Sequence, residues 1–183
     1  MTFKPLDGGK TLVSDLKSMR IALEKKIAND KEDVDARLSL AQIYMADNNP
    51  DAASPLYYEI LNFDPENAEA YMGLGLAWGF SILENIPAAE LHGEDVDEEE
   101  LLVKSIEFLE RSIELDPETT TSLNALARLY IVRNLEDEAI DMFRQSLLID
   151  QAQHDVLEEL QKLTGTPVWK LLEKDVYMGD FEE

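Results

Sequence analysis

The 183-residue chain contains no cysteine. Disulfides and thiolate metal sites are therefore excluded, and cysteine usage gives no clue to the redox compartment. It contains no run of about 18 apolar residues, the length that spanning a membrane requires. Its first ten residues, MTFKPLDGGK, lack the apolar stretch of a secretory leader. A cytoplasmic protein, or one of another soluble intracellular compartment, is expected, with no direct insertion into a membrane. The only two histidines, His92 and His154, are 62 positions apart and have no ligand-like spacing. Positive charge is also scarce: from Leu38 to Val103 there is no Lys or Arg, against fourteen Asp and Glu. Seven of the sixteen basic residues fall between Lys4 and Lys31, and the net charge is −23. Nucleic acid is not expected as a partner, because phosphate binding needs clustered cations. The acidity serves solubility or adaptation to a salty cytoplasm, or else it steers a basic partner, and only steering makes binding weaken as salt rises.

The stretch from Val34 to Asn67, VDARLSLAQIYMADNNPDAASPLYYEILNFDPEN, carries two amphipathic helical patterns joined by Asp-Asn-Asn-Pro and closed by Asp-Pro. Apolar residues recur at helical spacing through Leu38, Leu40, Ala41 and Tyr44, then Ala53, Leu56, Tyr57, Ile60 and Leu61. Small residues, Ala41 and Ala53, stand where the two helices approach closest. In its 34-residue length and these positions, the stretch resembles a tetratricopeptide (TPR) repeat.

The pattern recurs. In AEAYMGLGLAWGF, residues 68–80, Tyr71, Leu74, Gly75 and Trp78 match Arg37, Leu40, Ala41 and Tyr44. The second helix of this unit appears only at LLVKSIEFLERSIELDPE, with Ser105 as its small residue. Pro65 and Pro117 are 52 residues apart, one period of 34 plus 18, which places an insertion at about 81–100. The first helix is expected to run on to about Asn85, before a loop over Ile86 to Asp97. Ile82, Leu83, Ile86 and Leu91 would then extend an apolar lining or touch a partner. A third unit carries Leu126, Ala127, Tyr130, Ala139 and Phe143 at normal spacing, with Asn134 at a turn that favours a left-handed residue.

The resemblance implies an all-α fold, a TPR-type α-solenoid forming a right-handed superhelix of antiparallel helix pairs, with capping helices at both ends. Residues 1–10 are expected to be a flexible lead-in, with Pro5 and Gly8-Gly9 as breakers. A TPR domain is expected over 11–165, with repeats at about 34–67, 68–119 and 120–153. The caps lie at about 11–30, with Leu12, Leu16, Met19, Leu23 and Ile27 on one face, and at 154–165, ending at Gly165. A tail, 166–183, carries Trp169, Leu171, Leu172, Val176, Tyr177, Met178 and Phe181. It either packs as a structural cap or lies along the groove of its own molecule or of a second copy, which would allow self-association.

The resemblance further implies a non-enzymatic module that holds a peptide or helix of another protein in a concave groove. Core positions on the first helices are Leu40, Ala41, Tyr44, Leu74, Gly75, Trp78, Leu126, Ala127 and Tyr130. The groove would be lined by Leu38, Gln42, Met45, Met72, Leu76, Phe80, Asn124, Arg128, Ile131 and Val132, together with Gly79. TPR domains that grip the C-terminal Glu-Glu-Val-Asp of heat-shock chaperones use a carboxylate clamp of Lys, Asn and Arg. At the matching places this chain has Leu38, Gln42, Gly73, Thr121 and Ala125, so an apolar or basic segment is expected instead. Arg128 either anchors an acidic or carbonyl group of the partner, stands unpaired, or pairs with a nearby acid. The role is that of a scaffold or adaptor, or alternatively of an assembly or secretion chaperone that holds a client before handover.

Other signals are weak. The glycines of GLGLAWG, residues 73–79, lack the strand and spacing of a nucleotide loop, and close helix packing with groove space accounts for them. GEDVDEEE, residues 93–100, lacks the glycine and closing glutamate of a calcium loop, so Asp97 reads as the cap of the next helix. No catalytic constellation, cofactor motif or metal set is visible.

Overall fold

The computed structural model describes residues 8–88, 97–167 and 170, and nine helices lie among them. They are α1 (Gly8–Asn29), α2 (Val34–Ala46), α3 (Pro50–Phe63), α4 (Ala68–Trp78), α5 (Phe80–Leu83), α6 (Glu98–Leu115), α7 (Thr120–Val132), α8 (Glu136–Ile149) and α9 (His154–Thr164). The described residues contain no strand.

The helix boundaries follow local chemistry. Asp33, Asn49, Asn67 and Asp97 each accept a backbone N–H from the first turn of the helix that follows, satisfying donors without an intrahelical partner. Asn48, Asn85 and Asn134 turn the chain with φ of 55°, 53° and 59°, a region that asparagine tolerates better than most residues. The left-handed turn expected at Asn134 is thus observed. Gly165, with φ 66°, ends α9 as expected.

The helices form two layers. Helices α2, α4, α7 and α9 make an inner layer, while α1, α3, α6 and α8 alternate with them on the outer side. Three successive apolar clusters hold the layers together. The first includes Leu38, Ala41, Ala53, Tyr57, Ile60 and Leu74. The second includes Leu102, Ile106, Leu109, Leu126 and Leu129, and the third Ala139, Phe143, Leu147, Val156, Leu157 and Leu160. Ala41, Ala53 and Ala139 are fully buried, as close helix crossings require.

Two expectations about helix limits are corrected. Helix α1 begins at Gly8, so Gly8-Gly9 sit in its first turn and are not breakers. Leu23 and Ile27 are half-buried, whereas Leu16 and Met19 remain exposed, because α1 is longer than the α2 it packs against. Helix α4 stops at Trp78 and does not continue to Asn85. Gly79, a poor helix former, marks the break, and α5 then buries Phe80 and Ser81. The expectations for 1–7, for Leu91 and His92, and for the tail from Trp169 onward (Lys170 aside) lie outside the described residues.

Candidate functional site: the inner helical face

The inner face is built from α2, α4, α7 and α9. Leu38 and Phe80 do not belong to its open surface. Leu38 packs into the first core cluster and Phe80 is 7% exposed, since both turn toward neighbouring helices. Gly79 is likewise buried, and a methyl group there would meet Ser105 Oγ at 2.4 Å. Gly73 would meet the Tyr57 ring and Gly75 the Leu109 side chain. Close packing against the outer helices therefore accounts for all three glycines, and groove space for none.

Met45, Met72, Leu76 and Ile131 are half-buried, and Val132 is exposed. Met45, Leu76 and Ile131 have their inner sides against the core, yet keep apolar surface free. Met72 also accepts a hydrogen bond at Sδ from Thr119 Oγ1, at 3.8 Å. Ile82 and Leu83, read as lining of the insertion, pack on the second core cluster instead.

The polar members of the face are already engaged within the chain. Gln42 Nε2 donates to Glu69 Oε1 at 2.8 Å, joining α2 to α4. Asn124 Nδ2 donates to Gln153 Oε1 at 2.6 Å. Arg128 Nη2 lies 2.7 Å from Glu159 Oε1 and 3.1 Å from Asp155 Oδ2, tying α7 to α9. Of the three readings of Arg128, pairing with nearby acids is the one observed. The hydrogen bond to Glu159 is the main cause that raises the guanidinium pKa further.

Sequence reading missed Glu69, Gln153, Asp155 and Glu159 as partners on this face. A signal was present: the pairs are separated by 27, 29, 27 and 31 residues, slightly less than one repeat. Also missed was Arg37, 4% exposed, which donates from Nε to Glu59 Oε2 at 2.9 Å and stacks 5.2 Å from the Phe63 ring centroid.

Several clefts open among the described residues. One of about 240 Å³ is lined by Tyr58, Pro55, Trp78 and Leu101, where Trp78 Nε1 donates to the Tyr58 hydroxyl at 3.1 Å. A second, about 330 Å³, opens beside Met72 and includes Glu69, Asp116 and Glu118. A third, about 490 Å³, lies between Ser81–Ala88 and Val132. Among the described residues no group of His, Asp or Glu side chains could hold a metal ion, and no helix is long and apolar enough to cross a membrane.

Comparison with known proteins gives the fold. A crystal structure of MamA superposes with a TM-score of 0.64 at 21% identity, over 89% of this chain and 84% of that one. A thermophilic TPR protein of Thermus thermophilus gives 0.65 at 14% identity, over 84% and 75%. PilF of Pseudomonas aeruginosa gives 0.63 at 20% identity, over 85% and 63%. In sequence, a DnaJ homolog subfamily C member 7 homolog of Schizosaccharomyces pombe is 26% identical over 105 residues, 57% of this chain but 18% of that protein. No family model matches the chain. The architecture is the TPR-type α-solenoid, as the repeated positions implied.

Proposed function

From a chain with the tetratricopeptide-repeat fold, we propose a protein-binding module whose inner face takes a peptide or helix of a partner protein, acting as a scaffold or adaptor. The observation that carries this reading is the set of accessible apolar side chains, Met45, Met72, Leu76, Ile131 and Val132, presented by consecutive helices of one layer. Apolar surface concentrated in this way marks an interaction site. The functional core of the face is narrower than the ten residues the sequence pattern offered, since Leu38 and Phe80 are packed inside. The methionines, which adapt to differently shaped partners, support a second reading as an assembly chaperone.

The test is affinity capture from the native extract, comparing wild type with Met72→Glu/Leu76→Glu. Arg128 is left intact because it holds α9 in place. Each captured protein is then purified and its affinity measured against both forms. At least tenfold weaker binding by the double variant, with unchanged melting, supports the inner face; equal binding by both forms moves the site elsewhere. Suppression of the partner's aggregation at equal stoichiometry selects the chaperone reading. Bridging of two folded proteins without that suppression selects the adaptor.

A further inference from the structure

We propose that the segment held by the inner face is cationic and amphipathic, with apolar side chains against Met72 and Leu76 and lysine or arginine directed at the carboxylates beside them. This rests on the reading that the inner face binds a partner segment, and it assigns that segment's chemistry.

Charge complementarity is the argument. Gln42 and Glu69 are hydrogen-bonded across α2 and α4, which fixes Glu69 on the inner side. Met72 and Leu76 follow Glu69 by three and seven positions on the same helix, so all three share one stripe. Asp35 precedes Gln42 by seven positions on α2 and occupies the same stripe there. Both carboxylate residues are exposed. The stripe continues into the cleft that Glu69 and Met72 share with Asp116 and Glu118, whose lining residues include no Lys or Arg.

The cations that could offset this charge are spent or distant. Arg37, the only basic residue on α2, is buried and turned to Glu59 on α3. Helix α4 has no basic residue. Arg128 on α7 is held between Glu159 and Asp155, two carboxylates against one guanidinium. Lys162 lies in the last turn of α9, away from α2 and α4. Lys26 on α1, whose charge reaches Asp35, is already bound by Asp33 at 2.9 Å. An anionic segment would meet repulsion along α2 and α4, and a neutral one would leave Glu69 with the Gln42 amide alone and Asp35 with only this shared lysine. A cationic segment gains both contacts, and its approach is accelerated by the same field.

The test uses the full chain and three synthetic peptides followed by fluorescence anisotropy: a helical leucine–lysine peptide, its leucine–glutamate counterpart, and a serine–lysine peptide with the same charge and no apolar side. Two charge-neutralising variants are compared, Asp35→Asn/Glu69→Gln on the inner face and Glu24→Gln/Glu107→Gln on α1 and α6 of the outer layer. The expected result is selective binding of the leucine–lysine peptide, weakened about fivefold at low salt by the inner pair and unchanged by the outer pair. Weaker binding after Met72→Ser/Leu76→Ser is expected as well. Equal loss with both charge pairs, or equally tight binding of the serine–lysine peptide, reduces the effect to general acidity and overturns the inference. Binding of the leucine–glutamate peptide that matches the leucine–lysine peptide, and is lost with Met72→Ser/Leu76→Ser, also overturns it while leaving the inner face as the binding site. Peptide binding of either sign that ignores both Met72→Ser/Leu76→Ser and the inner charge pair overturns the inner-face reading itself.

Discussion

Arg128 on α7 grips Glu159 on α9 through two nitrogens, with Nη2 at 2.7 Å and Nε at 3.0 Å from Oε1. The link joins α7 to α9, and Asp155 adds a second carboxylate at 3.1 Å from Nη2. The guanidinium that could have anchored a partner's acidic or carbonyl group is thus held within the chain. Here it serves the fold and leaves the inner face acidic.

Replacing Arg128 by Gln should therefore loosen α9 before it affects anything else. The pair is partly solvated, so the cost is about 1 kcal/mol, the upper end for an ion pair in such surroundings. Backbone hydrogen exchange should quicken in 154–164 and stay unchanged in α2 and α3. Unaltered exchange in α9 would show that Val156, Leu157 and Leu160, all buried, hold the helix without help.

Gly73 gives a sharper test because its expected sign is opposite to propensity. In an open helix, Gly→Ala stabilises by up to about 1 kcal/mol. Here the new methyl carbon would lie 2.2 Å from Cζ of Tyr57, whose ring is 3% exposed and has little room to retreat. Gly73→Ala should thus cost about 1–3 kcal/mol through overpacking, and Tyr57→Leu in the same chain should recover part of the loss. A Gly73→Ala variant that melts above wild type would contradict the packing of α3 on α4.

Two tyrosines should titrate late. Burial pushes the Tyr57 hydroxyl up to about 12, and burial together with the hydrogen bond to Glu110 pushes Tyr130 up to about 12. Unfolded tyrosine ionises near 10, so between about pH 10 and 12 the unfolded chain has released protons that the folded chain retains. Stability from these two groups is intact below about pH 10 and falls as pH rises through that window. Phenolate absorbance should show a delayed phase that shrinks in Tyr57→Phe and again in Tyr130→Phe. A single phase near pH 10 for all tyrosines would refute the burial of both.

The recurring small and apolar positions made most of the fold legible, because a helix pair can bury its face only at fixed spacing. Ala41, Ala53 and Ala139 could be placed from pattern alone for that reason. The limits of α4 were harder. Apolarity continues through Phe80, Ile82 and Leu83, so the pattern ran on where Gly79 breaks the helix. Leu38 was misplaced for a related reason: helical position separates core from groove only coarsely, and a leucine between the two turns into whichever space is empty. Arg128 shows a different limit. Its partners Asp155 and Glu159 lie on another helix, and a single sequence gives the residue's register without saying which neighbour fills its reach.

Asp97 distinguishes a cap from an ion ligand. Its Oδ1 accepts from the backbone N–H of Glu99 at 3.0 Å and of Glu100 at 3.3 Å, satisfying the first turn of α6. The three glutamates that follow, Glu98 to Glu100, add negative charge at the positive end of the helix. A capping role depends on an oxygen acceptor and not on charge, so Asp97→Asn should melt close to wild type, whereas Asp97→Ala should cost about 1 kcal/mol. A calcium site would behave differently, since losing a formal charge weakens the ligand set and added calcium raises the melting temperature of the intact chain alone. Melting curves of the three forms, with and without calcium, separate the two. Calcium-dependent stabilisation of wild type that is absent from Asp97→Asn would overturn the cap, and a drop confined to Asp97→Ala, indifferent to calcium, is the expected outcome.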